Sequence, residues 1–325
     1  MSTASLEARA HAALADTIDA TDLPGLGALY RGKVRDVYRT PERLVLVTTD
    51  RVSAFDHVLG TIPWKGQILT ELALAAFDAT ADVCPNHVLS APDPQVIVGR
   101  PLRTLPIELV VRGHLTGSLW RAYAAGERAL YGLVLPEGLR KDEAFPAPIV
   151  TPTTKAEHGA HDAPISPAEI VAQGLASAER WAEAERIARA LFARGQAWAA
   201  ERGLILVDTK YELGVDDAGV LRVADEIHTP DSSRYWVAEG AAARFAAGAP
   251  QEMLDKERLR SVLIERYGWS GEGPRPTLTD ETRVELAVTY AELYGRLMRR
   301  PFEPPAPGAR ARLEANLRAA GLLSG

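Results

Sequence analysis

The stretch Leu204-Ile-Leu-Val-Asp208-Thr-Lys210-Tyr-Glu212-Leu-Gly214, followed by Leu221-Arg-Val-Ala-Asp225-Glu226, decides the fold class. Both runs are rich in β-formers, and Asp216-Asp-Ala-Gly219 between them supplies turn residues, so they read as an antiparallel hairpin over 204–215 and 220–227. Side chains alternate along a strand, which puts Asp208, Lys210 and Glu212 on one face. With Ala218-Gly219 as the turn, Glu212 falls opposite Asp225; a longer turn slips that pairing by a residue or two. Two carboxylates facing each other repel. A bound cation removes the penalty, and Mg²⁺ characteristically takes one or two carboxylates together with nucleotide phosphate oxygens. Lys210 beside them suits a phosphate or a reacting group. The competing reading is a solvated hairpin face with offsetting charges. Three charges on one face amid Leu204, Ile205, Leu206, Val207, Leu221 and Val223 favour metal and phosphate, with Glu212 and Asp225 as the ligands.

Working upstream, residues 29–38 and 43–49 form a second hairpin around Thr40-Pro41-Glu42. It carries Arg31-Gly32-Lys33-Val34-Arg35, which is neither a Walker loop nor a dinucleotide fingerprint. The glycine admits a close ligand, and Lys33 and Arg35 share a face. That suits a β-lobe laid over a triphosphate, although many exposed hairpins carry Gly-Lys. Between the hairpins, Val111-Arg112-Gly113-His114-Leu115-Thr116-Gly117-Ser118 reads as a strand over 105–112 broken at Gly113, then a helix starting near Ser118. Backbone N–H groups there, with Arg112 and Ser118, would hold a phosphate or carboxylate; an ordinary helix capped by Ser118 competes. Directly after the acidic strand, the run from Asp225 to Trp236 gathers hydrogen-bonding groups, including Asp231, Ser233 and Arg234. Loops at strand ends are where sites collect.

The remaining elements frame these motifs. Helices are expected over 5–19 and 65–79, with a polar loop at 50–57 that contains Asp56. Residues 132–165 are long, Pro-rich and with little period, which is more often functional or mobile than idle. Ser166-Pro-Ala-Glu169 is a capping box opening one helix to about Arg202. Further helices follow at 251–267 and 279–299, where Leu286, Tyr290, Leu293 and Leu297 make an apolar stripe read as core. A proline-rich linker, 301–307, leads to a closing helix. Strands and helices mix without βαβ alternation, so the class is α+β. The expected division is a β-rich lobe over 1–110, a larger mixed lobe over 111–300, and the tail 301–325.

Composition bounds the function. A net charge of −6 leaves no surplus of Lys and Arg for displacing counterions from a polynucleotide, so nucleic-acid binding is excluded, while a local basic pocket is not. One cysteine, Cys84, gives neither a disulfide nor a zinc cluster. The N-terminal residues lack the basic start and apolar run of a signal peptide, and no stretch spans a membrane, so the chain reads as cytosolic. The histidines, His158 and His161 among them, have no zinc spacing.

Together, Arg31-Gly-Lys-Val-Arg-Asp36, Ser53-Ala-Phe-Asp56, Val111 to Ser118, Val207 to Gly214, Asp225 to Trp236 and Leu254-Asp-Lys-Glu-Arg-Leu-Arg260 occur in an order that resembles the SAICAR synthetases, the phosphoribosylaminoimidazole-succinocarboxamide synthases. The likeness covers residues 25–300 and leaves out the tail. It implies an ATP-grasp-like α+β fold whose two lobes close on ATP and Mg²⁺. It also implies ligation of carboxyaminoimidazole ribotide to L-aspartate, yielding SAICAR, ADP and phosphate through an acyl phosphate. By matched position, Lys33 and Arg35 fall in the turn that covers the phosphates, although some relatives have Lys in place of Arg35. Glu212 and Asp225 match the metal and nucleotide carboxylates. Arg112, Ser118 and Arg234 match positions that hold the ribotide, and Asp208 and Lys210 flank the reacting carboxylate. Asp56, Asp231 and Ser233, from the same segments, are expected on the substrate side; Lys155 aligns only loosely with a substrate loop. The partners implied are small molecules, to a monomer or small homo-oligomer. A small-molecule kinase using the same nucleotide site and a nucleotide-binding regulator without turnover are the rival readings.

Overall fold

Two antiparallel sheets face each other across a cavity that residues of both line. The computed structural model describes residues 3–155 and 162–324; His158 and His161 lie outside the described residues. After α1 (Thr3–Ala13), the single strand expected over 29–38 is split by a turn at 32–34 into β1 (Ala28–Arg31) and β2 (Arg35–Arg39), which pair antiparallel, and β2 forms the expected upstream hairpin with β3 (Leu44–Thr48). The loop expected at 50–57 holds two short strands, β4 (Arg51–Ala54) and β5 (His57–Thr61), joined by a tight turn at Phe55 and Asp56 in left-handed conformation. Helix α2 (Lys65–Ala79) has the expected bounds. Strands β6 (Val88–Asp93) and β7 (Val96–Gly99) then complete the first sheet in the order β1-β2-β3-β7-β6.

Strand β8 (Arg103–His114) opens the second sheet, and it runs through Gly113 because Ala144 pairs with His114. The lobe boundary expected at 110 therefore falls inside a strand. Helix α3 (Gly117–Ala124) and the small hairpin of β9 (Ala129–Leu130) and β10 (Leu133–Val134) precede β11 (Ala144–Thr154). The stretch expected to be irregular over 132–165 thus contains an eleven-residue strand. Pro146, Pro148 and Pro152 hide it from a pattern reading, and they are tolerated because β11 is the sheet's edge.

The capping box at Ser166 is present, but it opens only α4 (Pro167–Ala172). Gly174 turns left-handed, and Ser177 caps a separate helix, α5 (Ala178–Ala200), where one continuous helix was expected. Strand β12 (Leu204–Val215) lies at the centre of the second sheet, between β8 on one side and β13 (Leu221–Ala224) with β14 (Ser233–Val237) on the other. Helices α6 (Ala241–Ala247), α7 (Lys256–Tyr267), α8 (Asp280–Met298) and α9 (Ala309–Ala319) follow; α7 begins later than the sequence suggested because Asp255 caps it.

Alternation assigns the faces. On β12, Tyr211 and Leu213 turn into the main core with Ile187, Leu191 and Phe192 of α5. The same core takes the expected stripe of α8. On β3, Val45 and Val47 join Val96 and Val98 beneath Leu313 and Leu317 of α9. The opposite faces, Leu44 and Leu46 of one sheet and Lys210 and Glu212 of the other, look into a shared cavity. Among the described residues, no helix is long and apolar enough to cross a membrane.

Candidate active site

The cavity between the sheets has a volume of about 440 Å³. One wall is apolar, with Val37, Leu46 and Leu102, and the other carries Glu108, Lys210, Glu212 and Asp225. The Gly32-Lys33 turn lies along its lip. An apolar slot ending in cations and carboxylates is suited to a nucleobase with a phosphate chain.

The expected opposition of Glu212 and Asp225 is wrong by one residue. Glu212 pairs with Ala224, because the loop runs over 216–220, with Asp216 N–H donating to Val220 O at 3.0 Å. Asp216 Oδ1 also accepts from the N–H groups of Ala218 and Val220, which stabilises this wider turn. Asp225 is instead the first residue past β13, and its left-handed backbone (φ 62°) carries it into the same cavity. The residue directly across from Glu212 on the other side is Glu108 of β8, which the sequence reading missed. A single acid within the apolar run 105–111 was its only signal.

Lys210 resolves the repulsion of those two acids. Its Nζ donates to Glu108 at 2.8 Å and to Glu212 at 2.7 Å, and Lys155 pairs with Glu212 as well. Burial alone would raise the Glu212 carboxyl, but Lys210 and Lys155 outweigh it and bring its pKa down to about 2. Burial disfavours charge on Lys210 too, yet Glu212, Glu108 and Asp225 together hold its ammonium well above the ordinary range. Burial pushes Glu108 up, against the pull of Lys210. Arg35 bridges the sheets, 2.6 Å from Asp225 and 2.7 Å from Glu226. Burial opposes its charge and the two acids more than restore it. Lys33 pairs with Asp56 in the open, a contact of little energetic weight.

A second cavity of about 250 Å³ adjoins the first, and Lys210 lines both. Arg112 and Arg234 converge there on Asp208, at 3.2 and 2.5 Å. Asp208 is buried beneath two guanidiniums and lines the cavity with them, so it holds them in place. Arg112 also reaches Ser118 Oγ at 3.3 Å. Ser118 is not the helix cap; Thr116 occupies that position without a side-chain bond. Gly117 is required for a different reason. Its φ is 58°, and a Cβ there would stand 2.4 Å from Arg234 Nη2. Ser233 bonds Thr209 through their hydroxyls at 2.7 Å. Asp231 borders this cavity, but its carboxylate is held by fully buried Lys65 at 2.7 Å and by Tyr290 at 2.8 Å. Burial would raise that carboxyl, and Lys65 and Lys256 instead hold it well below the usual range. Lys256 and Arg260, one turn apart on α7, add cations the sequence reading did not assign.

The comparisons with known proteins agree with this geometry. The family model described as SAICAR synthetase matches residues 28–276. A phosphoribosylaminoimidazole-succinocarboxamide synthase of Bacteroides fragilis is 50% identical over 284 residues, covering 86% of this chain and 90% of that protein. A putative phosphoribosylaminoimidazole-succinocarboxamide synthase 2 of Mesorhizobium japonicum is 47% identical over 297 residues, covering 90% and 95%. Among solved structures, SAICAR synthase from Saccharomyces cerevisiae complexed with SAICAR superposes with a TM-score of 0.76 at 30% identity, over 88% of this chain and 100% of that one. A match across both sheets, at these identities and nearly full mutual coverage, leaves one assignment: this chain belongs to the SAICAR synthetase family, amide-forming ligases of purine biosynthesis.

Proposed function

We propose that this chain joins carboxyaminoimidazole ribotide to L-aspartate at the expense of ATP, giving SAICAR, ADP and phosphate. The observation that carries the reading is Lys210, one ammonium lining both cavities. ATP occupies the cavity between the sheets, base against Val37, Leu46 and Leu102, phosphates towards Lys33 and Lys210. The ribotide takes the second cavity, its anionic groups against Arg112, Ser118, Ser233 and Arg234. The first and second sheets then act as two lobes over the nucleotide, an ATP-grasp-like arrangement.

The donor set fits Mg²⁺. Glu212 and Asp225 offer hard oxygen donors in one cavity. An ion held by two carboxylates and completed by phosphate and water is the usual Mg²⁺ pattern. When bound, it neutralises phosphate charge. The chain's own residues do the rest. Lys210 stands where the γ-phosphoryl group must pass, and offsets its charge as the ribotide carboxylate oxygen displaces ADP. The aspartate amine then attacks the acyl carbon, loses a proton, and phosphate leaves. Asp208 orients Arg112 and Arg234, and so the ribotide, for both steps.

The test is phosphate release with ATP, Mg²⁺, the ribotide and aspartate, leaving out one at a time. Release that needs all four, with an amide product, is expected. ADP formed without aspartate and without free phosphate, together with a phosphorylated product, would make the protein a kinase, and tight ATP binding without turnover would make it a regulator.

A further inference from the structure

The second cavity carries a positive charge that its own walls do not answer. Lys256 and Arg260 line it from the first two turns of α7, one turn apart and so on one face of the helix. Like charges at that spacing repel, and a cation at the start of a helix also opposes the helix dipole. The cavity's other cations are matched, Arg112 and Arg234 by Asp208, and Lys210 by Glu108 and Glu212. Lys256 makes no ion pair among the described residues; its Nζ donates to the Ser53 hydroxyl at 3.1 Å. Asp231 attracts it, but that carboxylate is bound by Lys65 and Tyr290. Burial above all, and then Lys65 and Arg260, hold the ammonium's pKa below the ordinary lysine value. Arg260 gives one nitrogen to Glu257 at 2.7 Å, an acid that Arg234 shares, and its side chain stays 33% exposed.

Both cations are propped from behind by one short segment. Ser53 accepts from Lys256, and the Phe55 ring lies 5.9 Å from the Arg260 guanidinium. Phe55 holds a left-handed backbone (φ 48°), which is uncommon for a bulky residue. Trp269 meets its ring edge-on at 5.6 Å, and Gly271 makes room, since a Cβ there would stand 2.8 Å from Phe55 Cβ. The turn between β4 and β5 thus fixes where Lys256 and Arg260 stand. A desolvated ammonium without a carboxylate costs stability, so folding alone does not favour this arrangement.

We propose that Lys256 and Arg260 form the subsite for the carboxylates of the amine-donating substrate, L-aspartate. The assignment rests on the proposed function, and deepens it. There the ribotide is placed against Arg112, Ser118, Ser233 and Arg234, which leaves the wall supplied by α7 to the second substrate. An amino acid anchored on α7 keeps its amine free to attack the acyl carbon beside Lys210. Two cations, with a single acid between them, suit a dicarboxylate better than a monocarboxylate.

The experiment measures KM for aspartate, ribotide and ATP in wild type, Lys256→Met, Lys256→Arg and Arg260→Gln. Succinate, which has both carboxylates and no amine, serves as the binding probe. Lys256→Met should raise the aspartate KM roughly ten- to hundredfold and leave the other two within about threefold. Lys256→Arg should recover part of the loss. Succinate should compete with aspartate in wild type, and its inhibition should weaken in Lys256→Met by a similar factor. An unchanged aspartate KM in Lys256→Met, with wild type active, overturns the subsite alone. A ribotide KM that rises as much as the aspartate KM also overturns it, because the cations then hold the ribotide. No amide from wild type with aspartate would overturn the proposed function and the subsite together. If Lys256→Met does not fold, Arg260→Gln and succinate carry the same test, and succinate that competes with the ribotide in place of aspartate contradicts the proposal.

Discussion

Asp225 shows how one backbone angle sets a site. Left-handed conformation is uncommon for residues other than glycine, but Asp and Asn accept it more readily than most. Here it carries a carboxylate off the end of β13 into the cavity, against Arg35. Asp225→Asn should therefore fold with a melting temperature within a few degrees of wild type, while turnover falls by roughly a hundredfold or more through loss of the charge. Turnover near wild type in a steady-state assay would remove Asp225 from the metal and nucleotide site. Lys210 makes the complementary point. Its position on the same face as Asp208 and Glu212 was legible from alternation, but its second acid partner was not, because Glu108 is a hundred residues away in the chain and meets it only through strand pairing.

Elements matter through where they end and what they cover. Helix α3 starts at a glycine because Arg234 lies against the Gly117 backbone. Gly117→Ala forces an alanine into positive φ and pushes the guanidinium away from Asp208. We expect a stability loss of roughly 1–2 kcal/mol and a rise in ribotide KM several times larger than that in ATP KM. Equal changes in both constants would mean that Arg234 does not hold the ribotide. Helix α9 lies beyond the matched family residues, yet it roofs the valine face of the first sheet, and Arg312 ties it to buried Asp93 at 3.0 Å. Leu313→Ala should cost about 2–4 kcal/mol in denaturant unfolding; a loss under half a kcal/mol would show that the tail is not part of the sheet's core.

At the scale of the whole molecule, buried carboxyls give stability two opposing pH limits. Asp255 caps α7 and accepts from Tyr235 N–H at 2.6 Å, and burial outweighs those bonds and raises its pKa to about 7. A carboxyl raised on folding favours the folded state below its ordinary pKa, and that contribution is lost as pH rises from near 4 to near 7. Glu212, depressed to about 2, contributes above its ordinary value and loses that as pH falls. Asp255→Asn should flatten the decline in urea-measured stability between about pH 4 and 7, whatever its absolute stability; an unchanged slope would assign the decline elsewhere. The same distinction between local and distant causes separates what the two levels of description could give. The sequence by itself determined the α+β class, the two hairpins, helix α2, the capping box at Ser166 and the shared face of Asp208, Lys210 and Glu212, because strand alternation and helix capping are properties of neighbouring residues. It could not give the slip that set Ala224 against Glu212, the break between α4 and α5, the Pro-bearing edge strand β11 or the burial of Asp231 under Lys65. Those were decided by tertiary structure, since a turn's width, a strand's place in its sheet and a charge's partner depend on segments that meet only when the chain is folded.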